Sequence, residues 1–551
     1  MVRPRTPSSL WAMLAGIAAV AFAAGVGELA AAIVAPGSSP FVVVGSALID
    51  LAPAWAKETA IALFGTADKI ALLVGIGLVL LLVAGLAGVL EVRRPPLGRV
   101  AIAVIGLAGV AAAMTRANAG TLSLVPSGLA AIAGITALLL LVRRLPVEIA
   151  PEPSAPARVE EPALSAVPAQ PAPAPAQAAP APTADAPAPT PPPAPGQLDR
   201  RRFLGWAGAA TAIGVLAALG GSALQAGARA ATAVRDALKL PAPRSRAVVP
   251  AGADFGIDGV APVITPNADF YRIDTALAVP AIDPADWSLR IHGLVEREVT
   301  ITWDELLALP LDESITTLTC VSNEVGGSLI GNAVWLGYPI RELLARAAPT
   351  AGADMVLSTS IDGFTASTPI EALTDDRNSI LAVGMNGEPL PAEHGFPVRM
   401  VVPGLYGYVS ATKWVVDLEV TRFSDATAYW TDRGWGELGP VKISSRIDVP
   451  RRGQPLTAGT VTVAGVAWHQ HVGIAAVDVQ VDDGEWQPAE LANPISADTW
   501  VQWRFDWAAD AGEHRLRVRA TGTEGEVQTS KRAAVVPDGA TGLDERSITV
   551  G

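Results

Sequence analysis

Four long apolar runs fill the first 145 residues, and they restrict the fold of this chain more than any other feature. The runs are Leu10–Val34, Ile70–Leu90, Val100–Ala113 and Leu129–Val142. A helix that spans a membrane needs about 20 mainly apolar residues, which the first two runs supply and the other two approach through neutral flanks. Residues 1–145 are therefore predicted to form an all-α transmembrane bundle of about four spans. The more polar stretch Phe41–Phe64 is predicted to form two short interfacial or re-entrant helices.

The positions of the arginines predict how this bundle is oriented. Arginines precede the first run, lie between the second and third runs, and follow the fourth run, whereas only Arg116 lies on the opposite side. Cytoplasmic loops of membrane proteins are enriched in Lys and Arg. The pattern therefore predicts a multi-pass protein of the cell membrane, with both ends of the bundle in the cytoplasm.

Two further segments separate the bundle from the rest of the chain. Residues 146–198 are dominated by Pro and Ala, which predicts an extended cytoplasmic linker with no core of its own. Residues 199–226 begin with Asp199-Arg200-Arg201-Arg202-Phe203-Leu204-Gly205 and continue as an apolar run. This segment is either a fifth helix with ordinary anchoring charges or a helix that resembles a twin-arginine export signal, and the pattern favours the second. Both interpretations place everything after Ala230 on the extracytoplasmic side of the membrane.

The exported part of the chain divides into two regions. Residues 250–425 alternate short β-rich runs with helical pieces such as Pro339–Ala347, which predicts an α+β domain with a mixed sheet. Residues 440–551 contain evenly spaced short strands separated by turn signals such as Asp483-Gly484, which predicts an all-β immunoglobulin-like sandwich. The predicted fold class is thus multi-domain, with a helical membrane bundle, an α+β domain and a β-sandwich in that order.

Composition narrows the classes of function. The formal net charge is −13 and no basic stripe alternates with aromatic residues, so nucleic-acid binding is not expected. The chain has one cysteine, Cys320, which follows a predicted strand and cannot form an intrachain disulfide. By residue type it is a metal ligand, a nucleophile or a buried structural residue, and composition alone favours the structural role. A zinc site is not favoured, because the chain has no second cysteine. Its sole histidine pair at ligand spacing, His469-x-His471, lies in the C-terminal β-rich region.

Five sequence blocks change which role is favoured for Cys320. They are Asp269-Phe270-Tyr271-Arg272, then Leu318-Thr319-Cys320 with Trp335-x-Gly337-x-Pro339, then Met385 to Arg399, then Val401 to Trp414, and finally Lys442-Ile443-Ser444-Ser445-Arg446-Ile447. In this order and spacing they resemble the sulfite oxidase family of molybdopterin enzymes, from about Pro266 to Val536. The resemblance implies a sulfite oxidase-like molybdopterin-binding domain, and a C-terminal sandwich through which the chain forms a homodimer.

The resemblance also implies individual roles. Cys320 falls on the family's molybdenum-ligating cysteine, and a soft thiolate suits a metal already held by dithiolene sulfurs. Together with Cys320, the residues Asn323 and Arg504 are the expected catalytic residues. The residues expected to hold the cofactor are Phe270, Arg272, Cys320, Asp362, His394, Arg399, Ser410 and Lys413. Two simpler interpretations stay open: His394 as a turn histidine bonded to backbone, and Lys413 as a snorkelling surface lysine.

The sequence also departs from the family near the expected substrate. The stretch after the cysteine reads Val321-Ser322-Asn323-Glu324 in place of a basic, substrate-binding stretch. A carboxylate there would repel a sulfite dianion. The family's active-site tyrosine is missing from the region Trp430–Trp435, where aspartate stands in its place.

The predicted function is oxygen-atom transfer with two electrons at a Cys-ligated molybdenum, on a small-molecule substrate. The first alternative is a reductase of S- or N-oxides, similar to periplasmic methionine sulfoxide reductases, and the second is a non-catalytic membrane scaffold that keeps the fold. No histidine precedes His292, so no haem is expected in the membrane domain. Electrons are expected to pass to or from a separate cytochrome or quinone-linked protein.

Overall fold

The structure, a computed structural model, describes residues 8–35, 38–53, 56, 59, 68–116, 120–146, 195–224, 233–276 and 279–551. In the described part of the chain, five helices precede the linker: α1 Ser9–Val34, α2 Pro40–Leu51, α3 Asp68–Arg93, α4 Leu97–Met114 and α5 Val125–Val142. Among the described residues, four helical stretches are long and apolar enough to cross a membrane, and they correspond to α1, α3, α4 and α5. This matches the predicted number of apolar spans and indicates association with a membrane.

The polar stretch between the first two spans is helical at its start. Helix α2 has 12 residues, and the Ser39 hydroxyl accepts a hydrogen bond from Val42 N at 3.4 Å, which caps its first turn. The second of the two predicted short helices lies largely outside the described residues. The same holds for nearly all of the Pro/Ala linker.

Helix α6, Pro195–Leu224, contains the arginine motif and the apolar run that follows it. Phe203 is fully buried and meets the Trp11 ring of α1 edge-on, with the ring centres 5.5 Å apart. The helix in this segment agrees with both interpretations of the motif, so the export signal stays a prediction.

The α+β region, residues 250–425, begins with a mixed five-stranded sheet in the order β2-β1-β10-β5-β6. Its strands are β1 Ser288–Gly293, β2 Val299–Thr302, β5 Met355–Ser360, β6 Thr365–Pro369 and β10 Val415–Thr421. Strands β1 and β10 are parallel, and the other neighbours are antiparallel. The predicted mixed sheet is confirmed.

A second sheet, in the order β3-β4-β7-β8, positions the candidate site. It contains β3 Asp312–Thr319, β4 Ile330–Pro339, β7 Ile380–Met385 and β8 Glu388–Pro389, and β9 Arg399–Val401 pairs with β7. Short helices connect the strands: α7 Trp303–Leu307, α8 Ile340–Ala347, α9 Glu371–Thr374 and α10 Gly407–Ser410. Strand β7 is buried at every position, as expected for a strand covered on both faces.

The C-terminal region is β-rich and consists of two four-stranded sheets. One has the order β11-β12-β16-β15, with β11 Ser444–Val449, β12 Gly459–Trp468, β15 Glu490–Leu491 and β16 Val501–Ala509. The other has the order β14-β13-β17-β18, with β13 Ile474–Val481, β14 Gln487–Pro488, β17 Gly512–Gly522 and β18 Asp544–Val550. Residues of both sheets, including Trp503 and Val518, share one hydrophobic core. The immunoglobulin-like topology, the domain boundaries and dimerisation through this region stay predictions.

Candidate functional site

A pocket opens where β3 ends, and most of the residues predicted to hold the cofactor line it. Six of the eight predicted cofactor residues are in its lining: Phe270, Cys320, Asp362, His394, Arg399 and Lys413. They come from five separate stretches of the chain, which the two sheets of the α+β region bring to one place. The pocket also contains the backbone of Gly407, at the start of α10.

Cys320 is the first residue after β3, and its position is set by the backbone on both sides. Its N–H donates to Leu329 O at 3.0 Å, and its carbonyl oxygen accepts from Asn323 N at 3.0 Å. The residue is 9% exposed and that surface faces the pocket. Burial raises the pKa of the Cys320 thiol, while hydrogen bonds from Ser322 act in the opposite direction. A cation or metal in the pocket would favour the thiolate.

Arg399 is a buried cation with no carboxylate partner among the described residues. It begins β9 and is 5% exposed, and its guanidinium lies over the Trp335 ring at 5.0 Å from the ring centre. Its N–H groups donate to the carbonyl oxygens of Met400, His394 and Ala411 at 3.1–3.5 Å. In the described part of the chain, no carboxylate lies within ion-pair distance of it. Burial lowers the pKa of Arg399 to about 10.

His394 is neutral and packed by an aromatic neighbour. Burial lowers the pKa of His394 to about 4, and the positive charges of Arg399 and Lys413 act in the same direction. Its Nε2 lies 3.3 Å from Asn267 O, and its ring meets the Phe270 ring edge-on. The contact with Asn267 O fits the interpretation of His394 as a turn histidine bonded to backbone. The position of His394 in the pocket lining also fits a role in binding the cofactor.

Lys413 is buried, which does not fit a snorkelling surface lysine. Its ammonium donates to Asp274 Oδ2 at 2.6 Å and to Glu393 O at 3.0 Å. Burial lowers the pKa of Lys413 to about 8, and the Asp274 carboxylate opposes this shift. Arg272 Nε also contacts Asp274, at 3.0 Å. The carboxylate therefore holds two cations at one side of the pocket.

One wall of the pocket is aromatic and was not predicted. It is built by Tyr271, Phe364, Tyr408, Trp430 and Trp435. Burial raises the pKa of Tyr271, so its hydroxyl stays protonated. Tyr271 stands inside the first family-like block, so that block offered a signal for it. Trp430 and Trp435 stand at the two ends of the segment in which the family's active-site tyrosine is expected. Nothing in their spacing predicts that they line the pocket.

Four predicted site residues lie outside the pocket lining, and Arg504 is the clearest correction. Successive residues of a strand point to opposite faces, so the buried Trp503 leaves Arg504 on the outer face of β16. There Arg504 forms an exposed ion pair with Glu490 at 2.8 Å.

The other three have structural partners. Asn323 Oδ1 accepts from Leu329 N at 2.8 Å and closes the loop after Cys320. The Ser410 hydroxyl donates to Tyr406 O at 2.9 Å, within α10 and its cap. Arg272 pairs with Asp274 beside the pocket.

Comparison with known proteins identifies the family. The family described as "Oxidoreductase molybdopterin binding domain" matches residues 276–430. The chain is 33% identical to the catalytic subunit of protein-methionine-sulfoxide reductase MsrP of Burkholderia mallei, over 46% of this chain and 79% of that protein. This chain belongs to the sulfite oxidase family of molybdopterin-dependent oxidoreductases.

The chain is also similar to curated sulfite oxidases. Mitochondrial sulfite oxidase of Macaca fascicularis is 29% identical over 302 residues, which cover 46% of this chain and 55% of that enzyme. The human enzyme gives the same identity and coverage. The chain thus spans about half the length of the curated sulfite oxidases that it matches. The crystal structure of sulfane dehydrogenase SoxCD from Paracoccus pantotrophus aligns with 54% of this chain and 85% of that chain, at 25% identity and a TM-score of 0.46.

The pocket fits the molybdenum–molybdopterin cofactor of the sulfite oxidase family. The decisive feature is Arg399, because a buried guanidinium without a carboxylate is stabilised by an anion such as a phosphate. The thiol of Cys320 faces the same pocket and is a soft donor suited to molybdenum. Gly407 also lines the pocket, and its lack of a side chain leaves its backbone open to a ligand there.

Proposed function

We propose that this protein is a membrane-anchored enzyme that transfers an oxygen atom with two electrons at a molybdenum bound by Cys320. The observation that carries the proposal is that one pocket contains both the buried Cys320 thiol and the buried Arg399 guanidinium, which has no carboxylate partner among the described residues. The four apolar helices support a membrane anchor. The arginine pattern of the sequence supports a catalytic region on the extracytoplasmic side.

Each pocket residue has a physical task under this proposal. When bound, the cofactor supplies a metal that exchanges an oxygen atom and two electrons with a substrate. Arg399 and Lys413 bind the anionic end of the pterin, and neutral His394 offers a ring nitrogen to it. The aromatic wall excludes water from the substrate side.

The first experiment measures molybdenum and pterin in the full chain and in Cys320→Ser, both made in a host that synthesises the cofactor. Near-stoichiometric molybdenum, with an altered Mo(V) EPR signal in Cys320→Ser, is the expected result. Val321→Ala is the matched control, because it perturbs the same buried loop and keeps the thiol. A well-folded wild-type chain without molybdenum and pterin would contradict the proposal and support a non-catalytic scaffold.

A second candidate is a reductase of S-oxides, and the chemistry of the pocket favours it over sulfite oxidation. Asp274 is paired with Lys413 and Arg272, so Asp362 is the carboxylate in the lining that stands beside the aromatic residues without either of these cations. Sulfur groups pack well against aromatic rings, whereas a sulfite dianion is repelled by carboxylates. The test compares sulfite oxidation with reduction of methionine sulfoxide by the molybdenum-loaded enzyme. Faster turnover of sulfite than of the sulfoxide would reject this candidate.

The electrons need a separate partner under either candidate. We propose a cytochrome or quinone-linked protein, because no histidine is available in the membrane domain for haem. The full chain in detergent should exchange electrons with a quinol-linked membrane fraction and not with that fraction after quinone extraction.

A further inference from the structure

The C-terminal β region covers the open edge of the strand that presents Cys320. Strand β3 lies at the edge of its sheet, and β4 bonds one side of it. On the other side, Thr317 N donates to Asp498 O at 3.0 Å, and Trp500 N donates to Thr317 Oγ1 at 2.8 Å. A sheet edge left open has unpaired backbone groups. The C-terminal region accepts from one of those groups, Thr317 N, and also bonds the Thr317 hydroxyl, a few residues before the thiol.

Gln470 makes the contact nearest to Cys320. It belongs to the turn between β12 and β13, is 3% exposed, and donates from Nε2 to Thr319 Oγ1 at 2.7 Å. Thr319 is the residue immediately before Cys320. The hydroxyl of Thr319 and the amide of Gln470 are both buried. A buried side-chain hydrogen bond of this kind fixes the positions of both partners.

The loop after Cys320 is held from the same region at its far end. Arg446 of β11 donates from Nη1 to Gly327 O at 2.9 Å, and its Nε contacts Asp448 at 2.6 Å. Asp544 of β18 lies against Gly326, so closely that a side chain at Gly326 would meet its carboxylate oxygen at 2.6 Å. Residues 319 and 327, on either side of the thiol, are therefore both bonded to the C-terminal region.

We infer that the C-terminal β region positions the metal-ligating thiol, with Gln470 and Arg446 as positioning residues that act through Thr319 and Gly327. The inference rests on the proposed role of Cys320 as the molybdenum ligand. The two contacts limit the motion of the strand end and of the loop, and so they set where the sulfur atom lies when the cofactor enters. Gln470 and Arg446 do not line the pocket, so they act on the thiol and not on the substrate.

The test uses the fact that Cys320 is the only cysteine in the chain. The rate at which iodoacetamide alkylates the cofactor-free full chain reports on this one thiol. Gln470→Ala is compared with Gln480→Ala, a matched control in the same region. Gln480 is also a buried amide with a single donated hydrogen bond, to Gly484 O at 2.6 Å, and its Oε1, like that of Gln470, has no partner among the described residues.

Loss of the Gln470 contact should raise the alkylation rate about 2- to 10-fold, the effect of one buried hydrogen bond on a local opening equilibrium. Gln480→Ala should leave the rate at the wild-type value although it lowers the thermal unfolding midpoint by a similar amount. Equal alkylation rates in the two variants would overturn the inference. So would rates that follow the unfolding midpoint alone.

A second pair of variants keeps the question open to disproof if Gln470→Ala fails to fold. Arg446→Ala should increase alkylation and broaden or shift the Mo(V) EPR signal of the loaded enzyme, and Arg446→Lys should partly restore both. Arg519→Ala is the control, because Arg519 pairs with Asp478 in the same region and makes no contact near the thiol. Unchanged alkylation and EPR in Arg446→Ala would overturn the inference. The alkylation result does not depend on whether Cys320 binds molybdenum, so it can fail while the proposed function holds, and the reverse.

Discussion

The ammonium of Lys413 lies 2.6 Å from the carboxylate of Asp274, and both side chains are nine-tenths or more removed from solvent. Arg272 contacts the same carboxylate at 3.0 Å, so one anion holds two cations beside the pocket. Pairs buried in this way are costly to break by removing one partner. We therefore expect the balance of charge at this point to affect the stability of the catalytic region and, under the proposed function, its affinity for an anionic cofactor.

The stability of the cofactor-free protein should rise with pH because of Lys413. Its pKa is about 8 in the folded protein and 10.5 for an exposed lysine. Between these values the unfolded chain holds a proton that the folded chain has lost, so the free energy of unfolding increases with pH. Below that window both states are protonated and the folded state carries the full cost of the buried charge. Lys413→Met should abolish this part of the pH dependence.

Thermal unfolding at about pH 7.5 and about pH 9.5 checks the prediction, since these values bracket most of the window. The control is Lys239→Met, because Lys239 is exposed. A pH dependence in Lys413→Met as steep as in the wild type would contradict the assignment.

Arg399→Met should have opposite effects on cofactor binding and on the stability of the empty protein. The guanidinium is buried without a carboxylate, so its removal relieves a desolvation cost and should not lower the unfolding midpoint of the cofactor-free chain. Under the proposed function Arg399 binds the pterin phosphate, so loss of these charge-assisted hydrogen bonds should weaken retention of the cofactor about 10- to 100-fold. The measurement is pterin fluorescence and molybdenum content after dialysis.

Arg346→Met provides the comparison, because Arg346 also lies over an aromatic ring, that of Tyr338, but outside the pocket. Full cofactor content in Arg399→Met would show that the phosphate binds elsewhere.

Much of the fold could be predicted from local patterns. The order of helical bundle, mixed-sheet region and β-rich C-terminal region follows from apolar runs, alternation and turn signals, because these are local properties of the sequence. The pocket residues from Phe270 to Lys413 could be selected only by their resemblance to a family, since they come together from distant parts of the chain.

The features that were not predicted depend on tertiary structure and not on local sequence patterns. Arg504 lies on the outer face because of the phase of β16, which depends on which face Trp503 buries. Trp430 and Trp435 enter the lining through the conformation of an irregular segment between β10 and β11. The Gln470 contact joins a turn of one region to a strand of another. None of these relationships has a period or a spacing in the sequence that reveals it.

Asp362→Asn should change the preference between charged and neutral substrates. Asp362 lines the pocket, and its Oδ1 accepts from Phe364 N at 3.3 Å, a bond that asparagine can keep. Removing the negative charge should raise kcat/KM for sulfite about 3- to 10-fold at low ionic strength, and less at high salt, because screening weakens the repulsion. The value for methionine sulfoxide, which is neutral at the sulfur, should stay within about twofold, since no long-range charge term acts there.

Steady-state kinetics with both substrates at two salt concentrations makes the measurement. Asp354→Asn is the control, because Asp354 bonds Phe423 N at 2.8 Å outside the pocket. Equal changes for the two substrates would indicate that Asp362 acts on the cofactor and not on the approach of the substrate.

Helices α1 and α3 approach each other through glycines, and this contact gives a prediction for the membrane domain. A methyl group on Gly88 would overlap the carbonyl oxygen of Ala12, and one on Gly16 would overlap that of Ala84. Small residues allow transmembrane helices to pack backbone to backbone, where dispersion and close contact stabilise the pair. Gly88→Ala should therefore destabilise the bundle by about 1–3 kcal/mol, the usual cost of overpacking.

Gly77→Ala is the matched control in the same helix, because nothing lies within 4 Å of the position where its methyl group would stand. It should be neutral or stabilising, since alanine is the better helix former by about 1 kcal/mol in water-exposed helices. Thermal unfolding of the full chain in detergent, followed by far-UV circular dichroism, compares the two variants. If Gly88→Ala unfolds at the same temperature as Gly77→Ala, α1 and α3 do not pack at this distance in the protein.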